Sequence, residues 1–179
     1  MSTDIDTRAL LLGIARAAID AAVRGGTPPP VPEAPILADY RGVFVTLRQG
    51  GRLRGCIGRI EPDAPLASLL PEIAVLSATD DPRFPPVSEA ELAGLEVEVS
   101  LLSVPELITG PAQVEVGRHG LIVTARGRRG LLLPQVATEC GWNALEFLAQ
   151  TCLKARLPEN AWEHAGTRLQ VFETEIISG

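Results

Sequence analysis

The sequence predicts an α+β fold: a mainly antiparallel sheet with flanking helices. Three observations predict it. Residues 42–48 (GVFVTLR) and the segment from Arg52 onward read as two strands about a Gln49-Gly50-Gly51 turn, a hairpin. Residues 95–102 (LEVEVSLL) begin by alternating apolar and polar residues, as a half-buried strand does. Residues 119–126 (HGLIVTAR) and 131–133 flank a second turn, Gly127-Arg128-Arg129-Gly130. Strands arranged as hairpins, with a few helices beside them, belong to the α+β class.

The elements follow in order. The first is a helix that Thr3 or Asp4 can cap, with Asp6 in its first turn. Leu11, Ala15, Ala18 and Ala22 recur at helical spacing, and Ile14 and Ile19 widen the stripe. Gly25 and Gly26 end it. The proline-rich stretch that follows cannot continue a helix and forms a stiff extended connector, too short to separate independent domains. After the first hairpin, residues 64–80 carry a helical pattern that Pro71 interrupts. Either the helix starts at Pro71 or it kinks there. After the second hairpin, Ala144, Phe147, Leu148, Cys152 and Ala155 form one face of a helix over residues 143–156, with Pro158 beyond its end. Residues 167–177 suggest a last strand.

Composition sets the bounds. A chain of 179 residues fits one domain, and 46% hydrophobic residues with a mean hydropathy of +0.19 exclude disorder along its whole length. Aromatics are only 4%, so aliphatic side chains must fill the core. The net charge of −6 is the opposite of what a global polyanion binder shows. Fifteen of the sixteen basic residues are arginine, which leaves a local anion site open. Cys56, Cys140 and Cys152 make an odd count, and the acidic, polar N-terminus is unlike a secretory leader. No apolar run is long enough to span a bilayer. The expectation is a cytoplasmic protein with reduced thiols.

The most informative stretch is Leu53-Arg54-Gly55-Cys56-Ile57-Gly58. On a regular strand Leu53 and Ile57 share one face and suit the core. Arg54 and Cys56 share the other, about 6.6 Å apart along the strand. A guanidinium so placed can stabilise a thiolate. Gly55 and Gly58 leave room for a ligand or another backbone to approach. The stretch therefore reads either as an accessible, activated thiol at an anion-binding strand end, or as a small buried cysteine beside a bulge.

This hexapeptide resembles the hallmark of the AMMECR domain family, whose bacterial and archaeal members are also called AmmeMemoRadiSam system protein A. The resemblance continues in order along nearly the whole chain. It runs through Asp81-Pro82-Arg83-Phe84-Pro85-Pro86, the strand Leu95-Glu96-Val97-Glu98-Val99-Ser100, Gly117-Arg118-His119-Gly120-Leu121 and Gly130-Leu131-Leu132-Leu133-Pro134-Gln135-Val136. Gly141-Trp142 and Cys152-Leu153-Lys154-Ala155 complete it. Pro71 departs from the relatives' uninterrupted helix, and the proline connector has no counterpart. The resemblance implies one domain over residues 1–179 with two subdomains: a larger part from both chain ends and a smaller inserted part, with a cleft between them. It also implies partners, a Memo-like protein and a radical SAM enzyme, in a shared modification pathway.

The candidate site residues combine both lines of reasoning. Cys56 is the candidate nucleophile, and His119 and Glu98 are candidate bases. Arg54, Gly55, Gly58, Asp81, Arg83, Ser100 and Gln135 are candidate ligand-binding residues. For Asp81 and Arg83 an internal ion pair that fixes their loop is the competing role. For His119 it is a place in a turn, and for Glu98 a solvent-facing strand edge. Cysteine spacing and the presence of only two histidines point away from a metal site, and no motif calls for a cofactor. The basic tip over residues 126–130 offers RNA or another anion a contact, although nothing aromatic interleaves with its arginines. The overall expectation is a protein that binds a small or anionic ligand at the hexapeptide, with Cys-dependent catalysis as an option. A non-catalytic module that binds protein or RNA is the alternative.

Overall fold

The computed structural model describes residues 3–179. Helix α1 (Ile5–Val23) opens the chain. Asp4 caps it by accepting the Thr7 N–H at 3.0 Å, and Gly25 leaves it at φ +68°. Strands β1 (Val43–Gln49) and β2 (Arg52–Arg59) form the first hairpin. Helix α2 (Leu66–Thr79) begins five residues before Pro71, so Pro71 lies inside it and does not start it. Strand β3 (Leu95–Leu102) pairs antiparallel with β1, and β4 (Glu106–Ile108) is a short strand the sequence pattern did not suggest. Strands β5 (His119–Ala125) and β6 (Arg128–Leu132) form the second hairpin. Helices α3 (Pro134–Cys140) and α4 (Ala144–Lys154) precede strand β7 (Arg168–Ser178).

The chain divides into two compact units. The first runs to Leu102 and takes up Glu175–Gly179 from the C-terminal end; the second is Ser103–Thr174. In the first, the strand order β2-β1-β3 leaves β2 at an edge. Val43, Val45 and Leu47 of β1 point to one face with Val99 and Leu101 of β3, all fully buried. Leu11, Ala15 and Ile19 of α1 and Leu66, Leu69, Leu70 and Ile73 of α2 complete this aliphatic core. Each of the buried Val, Leu and Ile side chains contributes about 1.5–3 kcal/mol by leaving water. In the second unit β5 lies between β6 and β7, and β4 pairs with β7. Its core gathers Leu121, Val123, Phe147, Leu148 and Cys152.

Two close approaches fix the first unit. At Gly55 a Cβ would lie 2.2 Å from the Ser77 carbonyl oxygen, so α2 packs directly on the β2 backbone there. The buried Ser77 hydroxyl lies 2.9 Å from Val45 O and 2.8 Å from Ile73 O, and accepts the Ile57 N–H at 3.1 Å. Among the described residues no helix is long and apolar enough to cross a membrane.

Candidate functional site

The hexapeptide lies on β2, and its register holds a surprise. From Val43↔Arg59 to Leu47↔Gly55 the pairing is regular, but Arg48 pairs with Leu53. Arg54 is therefore an extra residue, a β-bulge. A bulge re-aims side chains and breaks the period of two that the sequence reading assumed. Leu53, expected in the core, is 38% exposed for this reason. Ile57, opposite Val45, does pack against the core.

Arg54 is turned along the sheet edge. Its guanidinium grips Glu91 with two bonds, Nε to Oε1 at 2.6 Å and Nη2 to Oε2 at 3.2 Å. It also donates to the carbonyls of Pro85 and Pro86 at 2.9 and 3.2 Å. The Arg54 guanidinium, followed by bonds from Ser88, holds the Glu91 carboxyl down to about 2. The partner foreseen for Arg54 was the Cys56 thiolate; the partners it has are this carboxylate and two carbonyls.

The guanidinium beside Cys56 belongs to Arg83. The backbone of Cys56 points out of the sheet edge and is held at both polar groups. Asp81 accepts its N–H at 2.8 Å, and Arg83 Nη2 donates to its carbonyl at 3.1 Å. Asp81 and Arg83 are themselves joined, Nη2 to Oδ2 at 2.7 Å and Nε to Oδ1 at 2.9 Å, and Asp81 also accepts the Arg83 N–H at 3.0 Å. The Asp81 side chain is only 2% exposed, and the Arg83 bond holds its carboxyl far below the usual range despite burial. Asp81 is also the main cause that raises Arg83, with a smaller push from the nearby Cys56 thiol. The segment Asp81–Pro86 is thus an internal clasp, the competing role foreseen for this pair. It covers the open edge of β2.

The thiol faces the side of the sheet away from α1 and α2. Cys56 pairs with Thr46 on β1, and Thr46 pairs with Glu98 on β3, so the three form one row across the strands. Thr46 Oγ1 lies 3.3 Å from Cys56 Sγ. The next row is Gly58, Phe44 and Ser100. A Cβ on Gly58 would lie 2.0 Å from the Phe44 ring, so this glycine makes room for that ring and Gly55 makes room for α2. Of the two approaches the sequence left open, a ligand or another backbone, Gly55 takes the second, the backbone of α2, and Gly58 admits a side-chain ring. Sequence reasoning missed Thr46, Ser77 and Glu91. Thr46 was detectable as a polar, β-branched residue in an otherwise apolar run, but only the register places it beside the thiol.

His119 and Gln135 belong to the second unit. His119 opens β5, and its Nδ1 accepts the Glu115 N–H at 3.1 Å. Gln135 is exposed near the start of α3. The remaining cysteines differ sharply: Cys140 is exposed, while Cys152 is buried in the second core, where burial pushes its thiol up.

Known proteins resemble this chain along most of its length. The AMMECR1 family model matches residues 12–177. A protein from Methanothermobacter thermautotrophicus is 47% identical over 176 residues, covering 93% of this chain and 91% of its own. Protein PH0010 from Pyrococcus horikoshii is 46% identical over 178 residues, covering 93% of this chain and 86% of its own. The crystal structure of the uncharacterised protein PH0010 superimposes with a TM-score of 0.80 at 45% identity, covering 93% of this chain and 88% of that one. With a family match over residues 12–177 and a relative 47% identical that covers 93% of it, the chain belongs to the AMMECR1 family.

Proposed function

We propose that the sheet face around Cys56 binds a small or anionic ligand and that the Cys56 thiol is its reacting group. One observation carries the reading. Arg54 and the Cys56 backbone groups serve to hold β2, whereas the half-buried Cys56 thiol lies 3.3 Å from the Thr46 hydroxyl, with the Arg83 guanidinium held nearby on the Cys56 carbonyl. The thiolate is the nucleophilic form of a cysteine, and a half-buried thiol on an open sheet face is where a ligand can meet it. Glu98, two strands away in the same row, is a carboxylate suited to moving a proton once a ligand excludes water. The pathway partners in this reading are a Memo-like protein and a radical SAM enzyme, as the family resemblance implies. The second reading, a non-catalytic protein- or RNA-binding module, draws support from the same internal clasp, since Arg54, Asp81 and Arg83 all have structural partners.

The three cysteines supply the test. Alkylation of the native protein is followed at each thiol by mass spectrometry across pH 6–9. An activated Cys56 reacts faster than the more exposed Cys140 at neutral pH, and Cys152 reacts only on unfolding. Arg83→Gln slows Cys56 more than Arg54→Gln does. If Cys56 lags behind Cys140 at every pH, the nucleophile reading is lost and the binding module stands.

A further inference from the structure

In the second unit, arginines gather at the tip of the β5–β6 hairpin, the basic turn already visible in the sequence. Among the described residues only two outside glycine adopt positive φ: Arg126 at +52° and Arg156 at +58°. Arg126 and Gly127 form the two-residue turn between β5 and β6, where both positions need the left-handed region and Asn or Gly fits best. Arg156 follows the Ala155 cap of α4, the position where helices most often place Gly. A long cationic side chain is a costly choice at each. Arg128 Nη1, at the start of β6, donates to the Arg156 carbonyl and ties the hairpin to the end of α4.

More arginines gather there. Arg129 and Arg168 both pair with Thr124, one on each side, and form a row across the strands. Arg129 is half-buried; burial, and then the Arg168 charge, push it down, as expected of crowded cations. Among the described residues Arg126, Arg128, Arg156 and Arg168 pair with no carboxylate, as is also true of Arg41, Arg48 and Arg52 in the first unit, whereas Arg8, Arg16, Arg24, Arg54, Arg59, Arg83 and Arg118 all do. A cavity of about 160 Å³ opens beside the turn, lined by Arg126, His164, Thr167, Leu157, Pro158 and Ala161 among others. The nearby acidic residues, Glu159 and Glu163, line a different hollow with Trp162.

We propose that this tip binds a phosphate-bearing ligand, with Arg126 and His164 at the cavity and Arg156 and Arg168 supplying charge around it. Arginine forks match phosphate oxygens with paired donors, and the small cavity suits a phosphate or diphosphate group. Backbone strain held at two unpaired arginines is what a binding role would retain and what stability alone would remove.

The test uses the full chain and pyrophosphate as probe, read by calorimetry, with sodium chloride at equal ionic strength as control. The expected result is saturable pyrophosphate binding that the double variant Arg126→Gly/Arg156→Gly weakens at least tenfold while its Tm rises. Arg168→Gln, which lies outside the left-handed turns, weakens binding without raising Tm. A single-stranded RNA oligonucleotide forms a second arm. Tighter binding than pyrophosphate with a steep salt dependence assigns the phosphate to a nucleic acid, and binding of pyrophosphate alone assigns it to a small molecule. Unchanged pyrophosphate affinity in the glycine double variant, or a wild-type response no larger than that to sodium chloride, overturns the proposal.

Discussion

Asp81 is the residue on which the Cys56 strand depends. Its carboxylate accepts from Arg83 and from the Cys56 backbone in nearly complete burial. Asp81→Asn keeps the shape but loses the charge, and charged hydrogen bonds of this kind are worth about 1.5–3 kcal/mol each. Urea denaturation should show a loss of about that size, and Cys56 should become more accessible to bulky alkylating reagents. An unchanged midpoint would mean that the clasp is not what holds β2. Of the residues singled out in the sequence, Asp81 and Arg83 were legible as a pair. Arg54 was misassigned because a bulge cannot be read from a period of two. The extra residue shows only in the pairing of Arg48 with Leu53.

Among the elements, the two hairpins, the capped first helix and β3 were legible because turn residues and periodicity mark them. The short elements were not. Strand β4 has three residues, too few for a pattern, and α3 has seven. The signals for α3 were nonetheless present: Pro134 at its first position and Gly141 at φ +67° just beyond its end. The junction of α2 with β2 is the element contact that tolerates least. Ser77→Ala leaves the Ile57 N–H and the Val45 carbonyl short of a partner in a buried place and should cost about 1–3 kcal/mol in denaturant melts. Gly55→Ala and Gly58→Ala should both destabilise, but for different reasons. The first drives a methyl into the Ser77 backbone, the second into the Phe44 ring. In a Phe44→Ala background, which removes the whole ring, the cost of Gly58→Ala should therefore shrink while that of Gly55→Ala stays. On α1, a Cβ added at Gly13 meets nothing within 4 Å, so Gly13→Ala should stabilise the protein by about 0.5–1 kcal/mol.

For the molecule as a whole, carboxylate–arginine bonds set the response to acid. Asp63, Asp81, Glu91 and Glu173 each accept from an arginine, and that bond holds each below its ordinary value. A carboxyl whose folded value is depressed adds stability that is fully present above its unfolded value and lost as pH falls toward the folded one. For Glu91 that window runs from about 4.5 down to about 2. Unfolding free energies measured between pH 6 and 2.5 should therefore decline below about pH 4.5. Glu91→Gln should start lower at neutral pH and decline less, so the gap between the two proteins narrows with acid. A gap of constant width would show that Glu91 does not feel Arg54.

The clasp over β2 also bears on how the protein behaves in a crowded solution. An uncovered outer strand is an invitation to intermolecular ladder formation, because its free amides and carbonyls can recruit a strand from another copy. Here the acidic and basic side chains of a single short segment occupy those groups at Cys56. The same few atoms that present a thiol on one side keep the chains apart on the other.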